Sequence, residues 1–143
     1  MNADRNAANL LCKQKETADG TPQYSLVPID HGYCLRSKCD VSWFDWCWYD
    51  WPQLKEPLSA KAKKYINSLN IDEDAKLLKE RLNLDDEAIK FFRASNHLLI
   101  TAVNTGLTLY QIASLCCRTD NFGEVPSKLE VMTTRAKEVS VYQ

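Results

Sequence analysis

The sequence predicts a mainly α fold carrying one β-hairpin, and three observations lead there. Apolar residues recur at helical spacing over most of the chain beyond residue 58. A short apolar run, a polar stretch holding Asp19-Gly20 and a second apolar run occupy the beginning. Between them lies an aromatic-rich stretch with no helical period. The 143 residues, 45% of them hydrophobic and 26% charged, form one ordinary domain with enough apolar surface for a core of its own.

Each element has a local reason. Leu10, Leu11 and Cys12 read as a first strand, residues 13–23 as a polar turn and residues 24–29 as the return strand. In an antiparallel pair the first residue of one strand lies beside the last of the other, so Asn9 and Asp30 project from the same end of the hairpin. Residues 33–57, interrupted by Pro52 and Pro57, read as an ordered irregular segment. All four tryptophans, Trp43, Trp46, Trp48 and Trp51, fall here, and the alternation of Phe44, Trp46 and Trp48 suggests one face of a strand. These rings either pack the segment onto the helices or meet a lipid headgroup at a membrane interface.

Helices follow. Ala62, Tyr65, Ile66 and Leu69 share one face of a first helix beginning near Ser59. Asp72 is placed to cap a second, with Ala75, Leu78 and Leu82 inward. Asp85 caps a third and longer one that buries Ala88, Ile89, Phe92, Leu99, Ala102 and Val103 and stops at Gly106; His97 on it reads as structural or surface. Thr108 and Gln111 have capping-box spacing for a fourth, with Ile112, Leu115 and Cys116 inward. Residues 120–123 read as a turn, and Pro126 as the first position of a last helix through Leu129, Met132 and Ala136.

Composition excludes several classes. With 18 basic against 19 acidic residues there is no electrostatic argument for a nucleic-acid partner. No apolar run approaches the ~20 residues of a membrane span, and the first residues lack a signal-peptide apolar core, so a soluble, intracellular, cytoplasmic chain is expected. The six cysteines read as reduced, mostly buried thiols, with Cys116 and Cys117 as packed helix residues. His31, Cys34, Cys39 and Cys47 offer zinc-type ligands but lack paired C-x2-C knuckles.

The chemistry-bearing residues cluster at the open end of the hairpin. Asp4 lies five residues before Asn9, the spacing at which kinase catalytic loops carry a proton-accepting Asp and a metal-binding Asn. Asp30-His31-Gly32 has the D-x-G form of the second metal ligand. With eleven Asp and nine Asn, a chance D-x4-N is expected roughly 0.7 times and a chance D-x-G roughly 0.3 times, so neither counts alone. Their order, with a strand-turn-strand between them, is what carries weight. An amide oxygen and a carboxylate that close together suit Mg²⁺, a hard cation that takes oxygen ligands.

Asn2-Ala-Asp-Arg-Asn-Ala-Ala-Asn-Leu-Leu, then Leu26-Val-Pro-Ile-Asp-His-Gly-Tyr-Cys-Leu and Trp51-Pro-Gln, resembles the phosphoinositide 3-/4-kinase superfamily, in particular the type II-like branch that contains the plant gamma phosphatidylinositol 4-kinases. Tyr65-Ile-Asn-Ser-Leu and Gly106-Leu-Thr extend the likeness into the helical region. The chain departs from the family at Ala8, where Gly usually precedes the metal-binding Asn, and at Arg36, where Pro is usual.

The resemblance implies the C-lobe of a protein-kinase-like (phosphoinositide kinase) fold with the N-lobe, its phosphate-covering loop and its ATP lysine absent. Within residues 1–143 it implies a catalytic loop, hairpin and metal motif (1–32), an activation and substrate segment (33–57) and a helical region (58–143). The implied reaction moves the γ-phosphoryl of ATP, the co-substrate, to the inositol 4-hydroxyl of phosphatidylinositol at a membrane surface, with the chain peripheral to the membrane. Asp4 would take the catalytic role, and Asn9 and Asp30 would hold Mg²⁺. Arg5 receives no role. Three other readings share these residues: an inert truncated kinase or pseudokinase remnant acting as a binding module, a protein Ser/Thr kinase using the same site, and a non-kinase helical interaction domain with a zinc loop over residues 31–47.

Overall fold

Four side-chain oxygens start four helices. Ser59 accepts from the Ala62 N–H (3.2 Å), Asn70 from Glu73 (3.2 Å), Asp85 from Ala88 (2.7 Å) and Thr108 from Gln111 (3.2 Å). Each satisfies an N–H that the first helical turn leaves without a partner. The computed structural model describes residues 1–2, 4–38, 41–42, 45–120 and 124–140, the last four by backbone alone. Trp43, Phe44, Cys39 and residues 121–123 and 141–143 lie outside the described residues.

The chain begins with a short 3-10 turn (Ala7–Asn9) and the hairpin of β1 (Leu10–Glu16) and β2 (Pro22–Pro28), paired antiparallel from Leu10 opposite Pro28 to Glu16 opposite Pro22. Both strands run further than the apolar residues foretold, because backbone pairing continues through Lys13, Gln14 and Lys15 although they have nothing to bury. The turn is built by Thr17, whose single hydroxyl hydrogen lies within reach of both Asp19 Oδ1 and the Thr21 carbonyl, and by Gly20 at φ 78°. The Thr17 hydroxyl, then the Thr21 N–H, hold the Asp19 carboxyl down to about 2.

A two-residue strand β3 (Val41–Ser42) pairs in parallel with β4 (Cys117–Arg118). Between β3 and α1 (Ala60–Asn67) the chain coils rather than extends: Tyr49 donates to the Trp46 carbonyl and Trp51 to that of Trp48. Trp46 and Trp48 therefore do not stand on one strand face as expected; their rings stack, with centroids 4.7 Å apart. Trp46 is 4% exposed and forms a core with Val41, Ala113, Cys116, Cys117 and Leu129. Packing accounts for the buried Trp46 ring, and the half-buried Trp48 rests against the same core.

After α1 come α2 (Ile71–Leu82), α3 (Asp86–Asn104), α4 (Leu109–Cys116) and α5 (Lys128–Ser140). The long α3 packs against α1, α2 and α4. Ala102, Val103 and Ile112 make a second core with Leu58, Ile66 and Leu99 around it. Mainly α with one hairpin is thus the observed class, supplemented by the small β3–β4 pair. No helix among the described residues is long and apolar enough to cross a membrane.

Several local expectations are corrected. Tyr65, Leu82, Met132 and Ala136 are exposed, because α1, α2 and α5 lie at the periphery and bury only part of the stripe that periodicity assigned them. Asn70, not Asp72, caps α2; Asp72 sits in the first turn, where a carboxylate suits the helix dipole, and reaches Arg93 at 3.3 Å. Cys117 is buried but extended, as the first residue of β4. Pro126 lies outside α5, whose entry is closed reciprocally by Ser127 and Glu130: the Glu130 N–H donates to Ser127 Oγ (3.2 Å) and the Ser127 N–H to Glu130 Oε2 (2.8 Å). Arg118 grips the same carboxylate through Nε (3.0 Å) and Nη2 (2.5 Å), fastening β4 to α5. Burial pushes the Glu130 carboxyl up, but Arg118 and Ser127 together outweigh it and hold it below its ordinary value.

Gly106 ends α3 at φ 88°, with the Gly106 N–H donating to the Val103 carbonyl and the Leu107 N–H to that of Ala102. A Cβ there would meet nothing within 4 Å, so the backbone conformation alone sets the cost of a side chain. Gly106→Ala should lose about 1–2 kcal/mol, lowering the thermal midpoint by about 3 °C or more. An unchanged midpoint in a melting curve would refute this account of how α3 ends.

Candidate active site

Three asparagines organise the residues around Asp4. Asn6 caps the short turn, accepting from the N–H groups of Ala8 (2.9 Å) and Asn9 (3.2 Å), and its own Nδ2 donates to Asp4 Oδ1 at 2.6 Å. Asn9 Nδ2 donates to the Asp4 carbonyl (3.0 Å) and to Asp4 Oδ2 (3.2 Å). Asn2 Oδ1 accepts from the Asp4 N–H (2.8 Å), while its Nδ2 donates to the Asp30 carbonyl at 3.3 Å. The Asp4 carboxylate is held at both oxygens, and Asn9 is oriented by both donors of its amide.

The hairpin register continues past its ends, since the Ile29 N–H donates to the Asn9 carbonyl at 3.0 Å. Asp30, the next residue, adopts φ 50°, a left-handed conformation that Asp tolerates better than most side chains. Its Oδ1 accepts from the Gly32 N–H at 3.1 Å, and a Cβ on Gly32 would lie 3.3 Å from that same oxygen. The glycine of the D-x-G motif therefore eases a close approach to Asp30 rather than supplying an unusual φ. Ala8 also avoids the left-handed region, so a glycine before Asn9 is not required by the backbone here.

This geometry brings Asp4, Asn9 and Asp30 into one hydrogen-bonded group. Its donor chemistry fits a hard divalent cation: Asn9 Oδ1, neutral, and Asp30 Oδ2, anionic, are the oxygens that no hydrogen bond among the described residues consumes. Zinc has no comparable place. Among the described residues no three His, Cys, Asp or Glu groups converge on a point. His31 instead faces the Arg5 guanidinium through Nδ1 at 3.2 Å, and Cys39 lies outside the described residues.

Sequence spacing passed over Asn2, Asn6 and Arg5. Arg5 Nη1 donates to the carbonyls of Asn9 (2.9 Å) and Ile29 (2.6 Å), and the Arg5 carbonyl accepts from the Cys47 N–H at 3.1 Å. Trp46 Nε1 donates to the Asn2 carbonyl at 2.8 Å, joining the aromatic turn to the same group. Asn2 and Arg5 also line an apolar cavity of about 430 Å³ together with Trp46, Trp48, Leu98 and Ile112. The hairpin exposes Leu11, Tyr24, Leu26, Val27 and, just past its second strand, Ile29.

A sequence profile of the family described as phosphatidylinositol 3- and 4-kinase matches residues 1–112, including every residue of this group. The chain belongs to the phosphatidylinositol 3- and 4-kinase family. Among curated members of that family, it is 42% identical over 118 residues to phosphatidylinositol 4-kinase gamma 4 of Oryza sativa subsp. japonica, and 40% identical over 118 residues to phosphatidylinositol 4-kinase gamma 4 of Arabidopsis thaliana; each alignment covers 82% of this chain and 20% of the relative. Phosphatidylinositol 4-kinase gamma 1 of Arabidopsis thaliana is 37% identical over 142 residues, covering 96% of the chain and 25% of the relative. The chain thus spans a fifth to a quarter of the length of these lipid-kinase relatives.

Proposed function

We propose that this chain supplies the catalytic-loop and metal-binding part of an ATP-dependent phosphatidylinositol 4-kinase, transferring the γ-phosphoryl group of ATP to the inositol 4-hydroxyl of phosphatidylinositol at a membrane surface. In this reading residues 1–143 form the C-lobe of a kinase-like catalytic domain, with residues 33–57 as its activation and substrate segment. The observation that carries it is the bonding of Asn9 Nδ2 to Asp4, which fixes a proton acceptor against a metal-ligand position.

Phosphoryl transfer depends on positioning and charge neutralisation more than on covalent chemistry. Asp4 orients the attacking hydroxyl and accepts its proton. A carboxylate has about four lone-pair sites, so the amides of Asn6 and Asn9 hold Asp4 in place and still leave it able to accept. Asn9 Oδ1 and Asp30 Oδ2 would hold Mg²⁺, which when bound neutralises phosphate charge. The same residues serve a protein Ser/Thr acceptor equally well, and substrate choice is assigned to residues 33–57.

A second reading, a non-catalytic module that binds a partner, is favoured by the exposed apolar residues of the hairpin. Calorimetry of the purified chain with ATP, with and without Mg²⁺, separates the two. Mg²⁺-dependent binding is expected, weakened at least about tenfold in Asp30→Asn, a change that removes the charge while keeping a residue tolerant of left-handed backbone. A folded parent that binds no ATP would leave the module reading standing.

A further inference from the structure

We propose that Arg5 is a positioning residue that sets the spacing between the two metal-ligand positions, Asn9 and Asp30. The proposal rests on the role given to those residues above. Arg5 Nη1 reaches two carbonyls at once: that of Asn9 itself and that of Ile29, the residue before Asp30. The Asn9 carbonyl also accepts from the Ile29 N–H, so the two ligand positions share a closed triangle of donors and acceptors.

The hairpin cannot supply this rigidity alone. Among the described residues it is a two-stranded sheet with no third strand, and its residues are exposed almost throughout. Such ribbons are marginal in water, and their end pairs fray. Charge-assisted bonds from a guanidinium to both carbonyls close the end that matters. Arg5 is itself fixed by the core: its carbonyl accepts from the Cys47 N–H, it lies in parallel register with buried Trp46, and the Trp46 indole holds the Asn2 carbonyl. Asn2 completes the brace by joining the Asp4 N–H to the Asp30 carbonyl.

The fork is specific to arginine. While Nη1 serves the two carbonyls, Nη2 meets His31 Nδ1 at 3.2 Å, and a lysine ammonium, a single nitrogen, cannot span all three acceptors.

The test is Mg²⁺-dependent ATP binding by the full chain, read by calorimetry beside thermal melting and amide hydrogen exchange. Arg5→Ala should weaken binding by about 10- to 100-fold, the range found when groups supporting metal ligands are removed, with Arg5→Lys in between. The Ile29 amide should exchange faster in Arg5→Ala, while the Thr17 amide, bonded to the Thr21 carbonyl at the far end of the hairpin, should not change. A lower melting midpoint with parent-like affinity in the folded protein would reduce Arg5 to a structural role and overturn the proposal. So would parent-like binding by Arg5→Ala while Asp30→Asn still loses it. If the parent binds no Mg²⁺·ATP, the kinase reading fails, and Ile29 exchange alone judges the brace: faster exchange upholds it and unchanged exchange overturns it.

Discussion

Replacing Asp4, the base in the proposed reaction, with Asn is expected to lower that proposed transfer to phosphatidylinositol by about 10²- to 10⁴-fold, the usual contribution of a positioned general base. The substitution keeps the shape and removes the carboxylate proposed to accept the proton. It also places an amide where the structure has two acceptors: Asn6 Nδ2 donates to one Asp4 oxygen and Asn9 Nδ2 to the other, and an Asn at position 4 can accept only one of them. A small loss of stability, about 1 kcal/mol for one unmade hydrogen bond, should therefore accompany the loss of turnover. Mg²⁺-dependent ATP binding should persist, because Asn9 Oδ1 and Asp30 Oδ2 remain. Single-turnover transfer measured at saturating ATP checks this. Turnover within about threefold of the parent would remove Asp4 from the role of base.

The largest effect on stability is expected at Trp46. Trp46→Ala removes a ring that is 4% exposed, stacked on Trp48 and in contact with residues from β3, α4, β4 and α5. Such truncations cost about 3–5 kcal/mol, a large part of the ~5–15 kcal/mol that holds an ordinary domain together. Trp46→Phe should keep most of the packing and lose chiefly the bond from Nε1 to the Asn2 carbonyl, about 1 kcal/mol. Chemical denaturation followed by circular dichroism measures both. A Trp46→Ala loss near that of Trp46→Phe would mean that the surroundings close over the gap and that the ring is not the centre of this core.

Legibility in the sequence followed the range of the interactions. Ser59, Asp85 and Thr108 could be found because a helix start and its cap lie three residues apart. Ser127 and Glu130 carry the same spacing, and the signal was overshadowed by the neighbouring Pro126. Asn9 and Asp30 could be placed at one end of the hairpin because antiparallel pairing ties position to register. Asn2 and Arg5 were not legible: beyond their near partners Asp4 and Asn9, the bonds that tie them to Asp30, Ile29 and Trp46 reach across more than 20 residues, and no local period marks them. The β3–β4 pair escaped for the same reason, since two residues are too few to show alternation. Tyr65, Leu82 and Met132 misled because a helix of apolar period reports which side chains prefer burial, not whether a neighbour exists to cover them.

The parallel pairing of Val41 with Cys117 imposes an order in time on a chain emerging from the ribosome. At ~5–20 residues per second, the roughly 75 residues between them take roughly 4–15 s to synthesise. The hairpin and its turn can form within microseconds of appearing, whereas the buried side of Trp46 must wait for Leu129 and the start of α5. The segment beside Asp4 and Arg5 is thus among the last parts of the molecule to find its seat. Until then Trp46 and Trp48 stay open to chaperones or to another nascent copy.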